Sequence, residues 1–158
     1  MKRVPWGELE YPEGNGPCYH GGEPFTGVCF TVHADGTLAS ESEMRDGVAC
    51  GRARRWTRAG VLILDRQLEG DVLHGRAREW YPSGVLAAAE LWETGICTAR
   101  RRWAEDGTLV EDWSMGRDSP EYREILQCYR RYGFSELPDP AEPSAAADRG
   151  RMFAFRDV

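Results

Sequence analysis

Between residues 25 and 116, apolar and polar positions alternate along short segments, and the segments themselves recur. Gly36, Gly60, Gly84 and Gly107 are spaced 24, 24 and 23 residues apart, and a leucine follows each two positions later: Leu38, Leu62, Leu86 and Leu109. Nine positions before the first three stand Gly27, Gly51 and Gly75, with Thr98 in that slot of the fourth copy. Trp56, Trp80 and Trp103 precede the last three glycines by four positions, and Val32 holds the equivalent place in the first. Self-similarity at a fixed short period marks a stacked array, because each unit is too small to bury an apolar face alone.

Each copy reads as a β-hairpin. The first arms, Gly27 to His33, Gly51 to Thr57, Gly75 to Tyr81 and Thr98 to Ala104, have a normal strand length. The turns Ala34-Asp35-Gly36, Arg58-Ala59-Gly60, Pro82-Ser83-Gly84 and Glu105-Asp106-Gly107 put glycine where positive φ is wanted. The second arms run from each leucine to Gly47, Gly70, Gly95 or Gly116. Turns this short predict consecutive antiparallel strands. The expected fold is therefore mainly β: four antiparallel hairpins in one twisted sheet, with a capping helix after it.

Alternation sorts the first arms into two faces. One face carries Phe30, Arg54, Arg78 and Arg101 in one column, and Val32, Trp56, Trp80 and Trp103 in the next. The other carries Cys29, Ala53 and Ala77, with Arg100 breaking the run of small residues. In the second arms Glu41, Asp65 and Asp112 occupy equivalent slots, with Ala89 as the exception. An acidic column beside an arginine column is expected to pair across strands, at about 0.2–1 kcal/mol per contact. The candidate partner-binding residues are Arg54, Arg78, Arg101, Trp56, Trp80 and Trp103, since Trp and Arg are enriched in interface hot spots. The same tryptophans serve equally as a ladder that holds the sheet together, and the same arginines as acid-paired or solvated charges.

Residues 1–24, with Pro5, Pro12 and Pro17, are expected as an irregular lead-in, with Cys18-Tyr19-His20 adding a short strand before Gly21-Gly22. In residues 117–134, Ser119 stands as a helix N-cap, Pro120 at the first helical position and Gly133 as the stop. Tyr122, Ile125, Leu126, Tyr129 and Tyr132 fall on one apolar stripe, which is expected to cover the last hairpin. Residues 135–158 read as a loose tail whose Phe153 and Phe155 could dock back.

Composition, 41% hydrophobic and 29% charged over 158 residues, fits one ordinary globular unit. A net charge of −6 disfavours nucleic acid as a partner and suits a basic protein better. Five widely spaced cysteines suggest reduced thiols, and with no membrane span or signal segment the expected location is the cytoplasm. His20, His33 and His74 are scattered, so structural roles are expected and no metal or cofactor is called for. Nor does a nucleophile motif, phosphate-cradling loop or paired catalytic carboxylate stand out, so an enzyme is not expected. The acids of the turns, Asp46, Glu69, Asp71, Glu93 and Glu105, read as solvated loops.

The opening Gly22-Glu23-Pro24-Phe25-Thr26-Gly27, followed by the Gly-x-Leu hairpins with Glu41, Asp65 and Asp112, resembles the MORN-like repeats of the YwqK-type bacterial antitoxin or immunity family. The resemblance covers residues 22–116. Partly replaced aromatics (Val32, His33, Thr57, Ala104), Thr98 and the segment after 117 depart from the pattern. It implies a protein that neutralises a cognate toxin by binding it, without enzymatic activity. The alternatives are a MORN-like scaffold at a membrane surface, which the acidic charge and missing polybasic segment disfavour, and a protein-binding scaffold with no toxin.

Overall fold

The computed structural model describes residues 1–12, 16–135 and 137. Most of the expected tail, Phe153 and Phe155 included, lies outside the described residues. The strands are β1 (Arg3–Pro5), β2 (Tyr19–His20), β3 (Glu23–Pro24), β4 (Gly27–Val32), β5 (Leu38–Arg45), β6 (Val48–Trp56), β7 (Leu62–Glu69), β8 (Val72–Trp80), β9 (Leu86–Glu93), β10 (Ile96–Trp103) and β11 (Leu109–Ser114), and one helix, α1 (Pro120–Tyr132), follows them. The main sheet has the order β1-β4-β5-β6-β7-β8-β9-β10-β11. All its neighbours after β1 pair antiparallel in chain order, as the short turns require.

Two kinds of turn alternate along it. The Gly-x-Leu loops repeat one hydrogen-bond scheme: the backbone N–H groups of His33, Thr57, Tyr81 and Ala104 donate to the carbonyls of Thr37, Val61, Val85 and Thr108 at 2.8–2.9 Å. The carboxylate of Asp35 accepts from the N–H and hydroxyl of Thr37 (3.0 and 2.6 Å), and Asp106 does the same with Thr108. Those bonds hold both carboxyls below their ordinary pKa. The second kind links the repeats through Asp46-Gly47, Gly70-Asp71 and Thr94-Gly95, each pair with positive φ at both residues, as two-residue hairpin turns of the I′ kind demand. The strands therefore begin earlier than the glycines suggest; β6 and β8 start three residues before Gly51 and Gly75.

At those two glycines the register shifts, and the side chains of Glu43 and Gln67 bond the backbone N–H groups of Arg52 and Arg76 at 3.2 and 2.8 Å. A Cβ at Gly51 or Gly75 would collide with those side chains. Thr98, in the fourth slot, sits in a smaller bulge, and its hydroxyl bonds the Leu91 carbonyl and Glu93 at 3.4 and 3.3 Å.

The lead-in differs from the expected irregular segment. β1 adds to the sheet parallel to β4, β2 and β3 pair around Gly21-Gly22, and a 3-10 turn spans Trp6–Glu8. Val4, Leu9, Cys18 and Phe25 pack with Cys29 and Met44 into a buried cluster, so these residues supply a core that one sheet face lacks. Burying a side chain such as Phe25 is worth about 1.5–3 kcal/mol.

At the other end, α1 has the expected caps: the Ser119 side chain accepts from the Tyr122 N–H, and Gly133 is left-handed. The apolar stripe divides, however. Tyr122 and Ile125 are buried and Tyr129 is half-buried, whereas Leu126 and Tyr132 are exposed. Leu126 lies about 100° round the helix from Ile125, off the packed face. Nor does α1 shield the sheet's last edge. It sits over Glu93 and His74, leaving Leu109, Val110 and Trp113 of β11 exposed.

Candidate partner-binding face

The strand register brings the arginine and acid columns into one row. Direct Cα partners run Phe30, Glu41, Arg54, Asp65, Arg78, Ala89, Arg101, Asp112 across all eight strands from β4 to β11. Directly paired residues of antiparallel strands project to the same side, so these side chains share one face. Arg3 of β1 extends the row, with its guanidinium 5.4 Å from the Phe30 ring centroid and 3.0 Å from Glu41.

The expected cross-strand pairing holds at both ends. Glu41, only 9% exposed, is paired by Arg3 and Arg54, and Arg101 lies 3.1 Å from Asp112. In the middle it changes. Asp65 pairs with Arg52 rather than with Arg78, and the next slot beyond Arg78 holds Ala89. Among the described residues Arg78 has no ion-pair partner. It shares its face with Arg76, two residues before it, whose guanidinium is held below its ordinary pKa by burial and by Arg78.

Trp56, Trp80 and Trp103 are all half-buried. Arg54 lies over the Trp56 ring at 5.6 Å, which places that tryptophan on the face of the row. A half-buried indole packs against its neighbours and still keeps exposed area, so burial alone does not choose between the two roles expected of these residues. On the opposite face Cys29 is fully buried, Ala53 and Ala77 lie along the row, and Arg100 bonds Glu90 at 2.7 Å, which raises its pKa.

Of the turn acids, Asp46, Asp71 and Glu105 are exposed as expected, whereas Glu69 is half-buried and Glu93 departs most. Glu93 is 3% exposed, not solvated; its carboxylate accepts from the hydroxyls of Tyr122 (3.1 Å), Tyr129 (2.8 Å) and Thr98 (3.3 Å). A carboxylate so buried needs this many donors. Glu69 accepts from Ser135, Asp71 from the Ala49 N–H and Glu105 from Ser83. The usable signal lay in α1: two tyrosines seven residues apart on a buried stripe require an acceptor beneath them. His74 is structural, with Nδ1 accepting from the Thr94 N–H (3.1 Å), Nε2 donating to the Ser135 carbonyl (2.6 Å), and the ring against Tyr129 and Phe134. His33 bonds the Trp56 carbonyl at 3.1 Å, and His20 faces Lys2 at 2.8 Å.

A cleft of about 440 Å³ opens beside the end of α1, lined by Glu69, Val72, Thr94, Cys128, Tyr132 and Phe134. Among the described residues no group of three or more His, Cys, Asp or Glu could hold a metal ion. Among them too, no helix is long and apolar enough to cross a membrane. Comparison with protein-family models, curated proteins and solved structures gives no match.

Proposed function

We propose that this chain is a non-enzymatic immunity protein that neutralises a cognate bacterial toxin by stoichiometric binding. Its scaffold is read as a MORN-like array of four hairpins in one twisted sheet, and its contact surface as the face that carries Arg54, Arg78, Arg101, Trp56, Trp80 and Trp103. The observation that supports this reading is the placement of half-buried arginines and tryptophans in register on one sheet face. Such side chains give large contact area and forked hydrogen bonding at low ordering cost. The repeated Gly-x-Leu turns and the Gly22 to Gly27 opening supply the resemblance on which the toxin partner rests.

The test is co-expression with a candidate toxin domain taken from the adjacent coding sequence. Growth should be restored, and the two proteins should co-purify without added nucleotide, metal or substrate. Paired substitution Arg78→Ala with Arg101→Ala should then weaken the complex while leaving the melting temperature nearly unchanged. Arg54 is unsuitable for this test, because its loss would leave the buried Glu41 with Arg3 alone. Cells that die despite full expression of the folded chain would remove the immunity reading.

A further inference from the structure

We infer that the surface over Ala89, between Arg78 and Arg101, is an acceptor site for an aspartate or glutamate side chain of a docking protein segment. The site rests on the proposal that this face binds a protein, and it specifies the chemistry that the partner brings.

The argument begins with the row's sign pattern. From Glu41 to Asp112 acid and arginine alternate on neighbouring strands, except that Ala89 stands where the alternation calls for an acid. Two arginines therefore flank an uncharged slot. Arg101 is compensated from its other side by Asp112. Arg78 is not compensated from its other side, because the carboxylate of Asp65 is taken by Arg52. Among the described residues positive charge thus stands without an ion-pair partner at Arg78, on a chain whose net charge is −6. Charge of that sign in a half-buried setting is relieved by an anion, and a guanidinium offers a carboxylate two parallel N–H donors.

The surroundings favour a protein segment as the source of that anion. Ala89 is 4% exposed and its methyl group puts no charge or hydrogen-bonding group between the two flanking guanidiniums, so nothing on its own strand competes for them. Trp80 and Trp103 lie two residues further along the strands that carry Arg78 and Arg101. Their half-buried rings give a docking segment apolar area beside the charge, which a small free anion would not use.

Completing the row from within provides the test. Ala89→Asp restores at this position the residue type of Asp65 and Asp112, so it should fold, hold Arg78 internally and close the site. The Nε–H resonances of the arginines are followed by NMR while the wild-type chain is titrated with a capped peptide, Thr-Val-Glu-Val-Thr. The expected result is a saturable shift of the Arg78 signal. Binding should fall roughly tenfold with the Gln-for-Glu peptide or in Arg78→Gln, the size expected for one charge-assisted hydrogen bond. Ala89→Asp should abolish it.

Equal binding of the Glu and Gln peptides would overturn the inference, as would undiminished peptide binding by folded Ala89→Asp or by Arg78→Gln. A matching shift with inorganic phosphate alone would make this a small-anion site and would overturn it too. The toxin domain separates this inference from the wider one. If Arg78→Gln and Ala89→Asp hold that domain as tightly as wild type, the carboxylate site falls and the immunity reading stands. If wild type never holds it but the peptide series behaves as expected, the reverse is true.

Discussion

The glycines of this chain do two separate jobs. Gly36, Gly60, Gly84 and Gly107 take φ between 80° and 86°, and a Cβ at any of them would meet no atom within 4 Å. Their substitution cost is thus a backbone cost alone, about 1–2 kcal/mol for a side chain in left-handed geometry. Gly75 (φ 113°) adds a collision with the side chain of Gln67, which would have to release the Arg76 N–H. Gly84→Ala should therefore destabilise by roughly 1 kcal/mol, and Gly75→Ala by roughly 1 kcal/mol more, the net worth of one hydrogen bond. Urea denaturation of the two variants checks this; equal costs would mean that the Gln67 contact carries no energy.

At the scale of elements, α1 is held by polar anchors as much as by its apolar face. Tyr129 sits partly buried with its hydroxyl on Glu93, and burial, then that bond and the nearby carboxylate charge, push its pKa above the ordinary value of about 10. The folded state thus holds the tyrosine proton more tightly than the unfolded chain does. Its contribution is complete below about pH 10 and is lost as pH rises beyond that. Tyr129→Phe should cost about 1 kcal/mol near pH 8, and its deficit against wild type should shrink at pH 11. A deficit that stays constant between those pH values, measured by denaturant titration, would contradict the assigned anchor.

Across the whole molecule, stability is concentrated where the sheet receives a cover. The first hairpins are covered by Val4, Leu9 and Cys18 of the lead-in together with Phe25, and the Cys29 thiol beneath them is 0% exposed with its pKa pushed up to about 11 by burial. Both effects suppress its reactivity. At neutral pH a maleimide should label the part-exposed Cys50, Cys97 and Cys128 before Cys29. Phe25→Ala, at a cost of about 3–5 kcal/mol, should open this end and bring Cys29 labelling level with Cys50. Labelling of Cys29 that stays slow in that variant would show that this cluster is not what protects it.

The strand succession was legible from residues 25 to 116 because it depends on local chemistry. A glycine that permits positive φ fixes each turn, and alternation with period two then fixes which side chains share a face. From that alone Arg54, Arg78 and Arg101 could be set beside Glu41, Asp65 and Asp112, and Ser119, Pro120 and Gly133 could bound the helix. What required the tertiary structure was every feature set by which distant segment lies on top. Glu93 looks like any turn acid until Tyr122 and Tyr129 are folded over it. Residues 1–24 look irregular until Val4, Leu9 and Cys18 find Cys29. Arg78 looks like its two neighbours in the column until Asp65 turns to Arg52. A residue's own strand gives its direction, but its burial and its partner are decided by chains tens of residues away, and no local pattern carries that information.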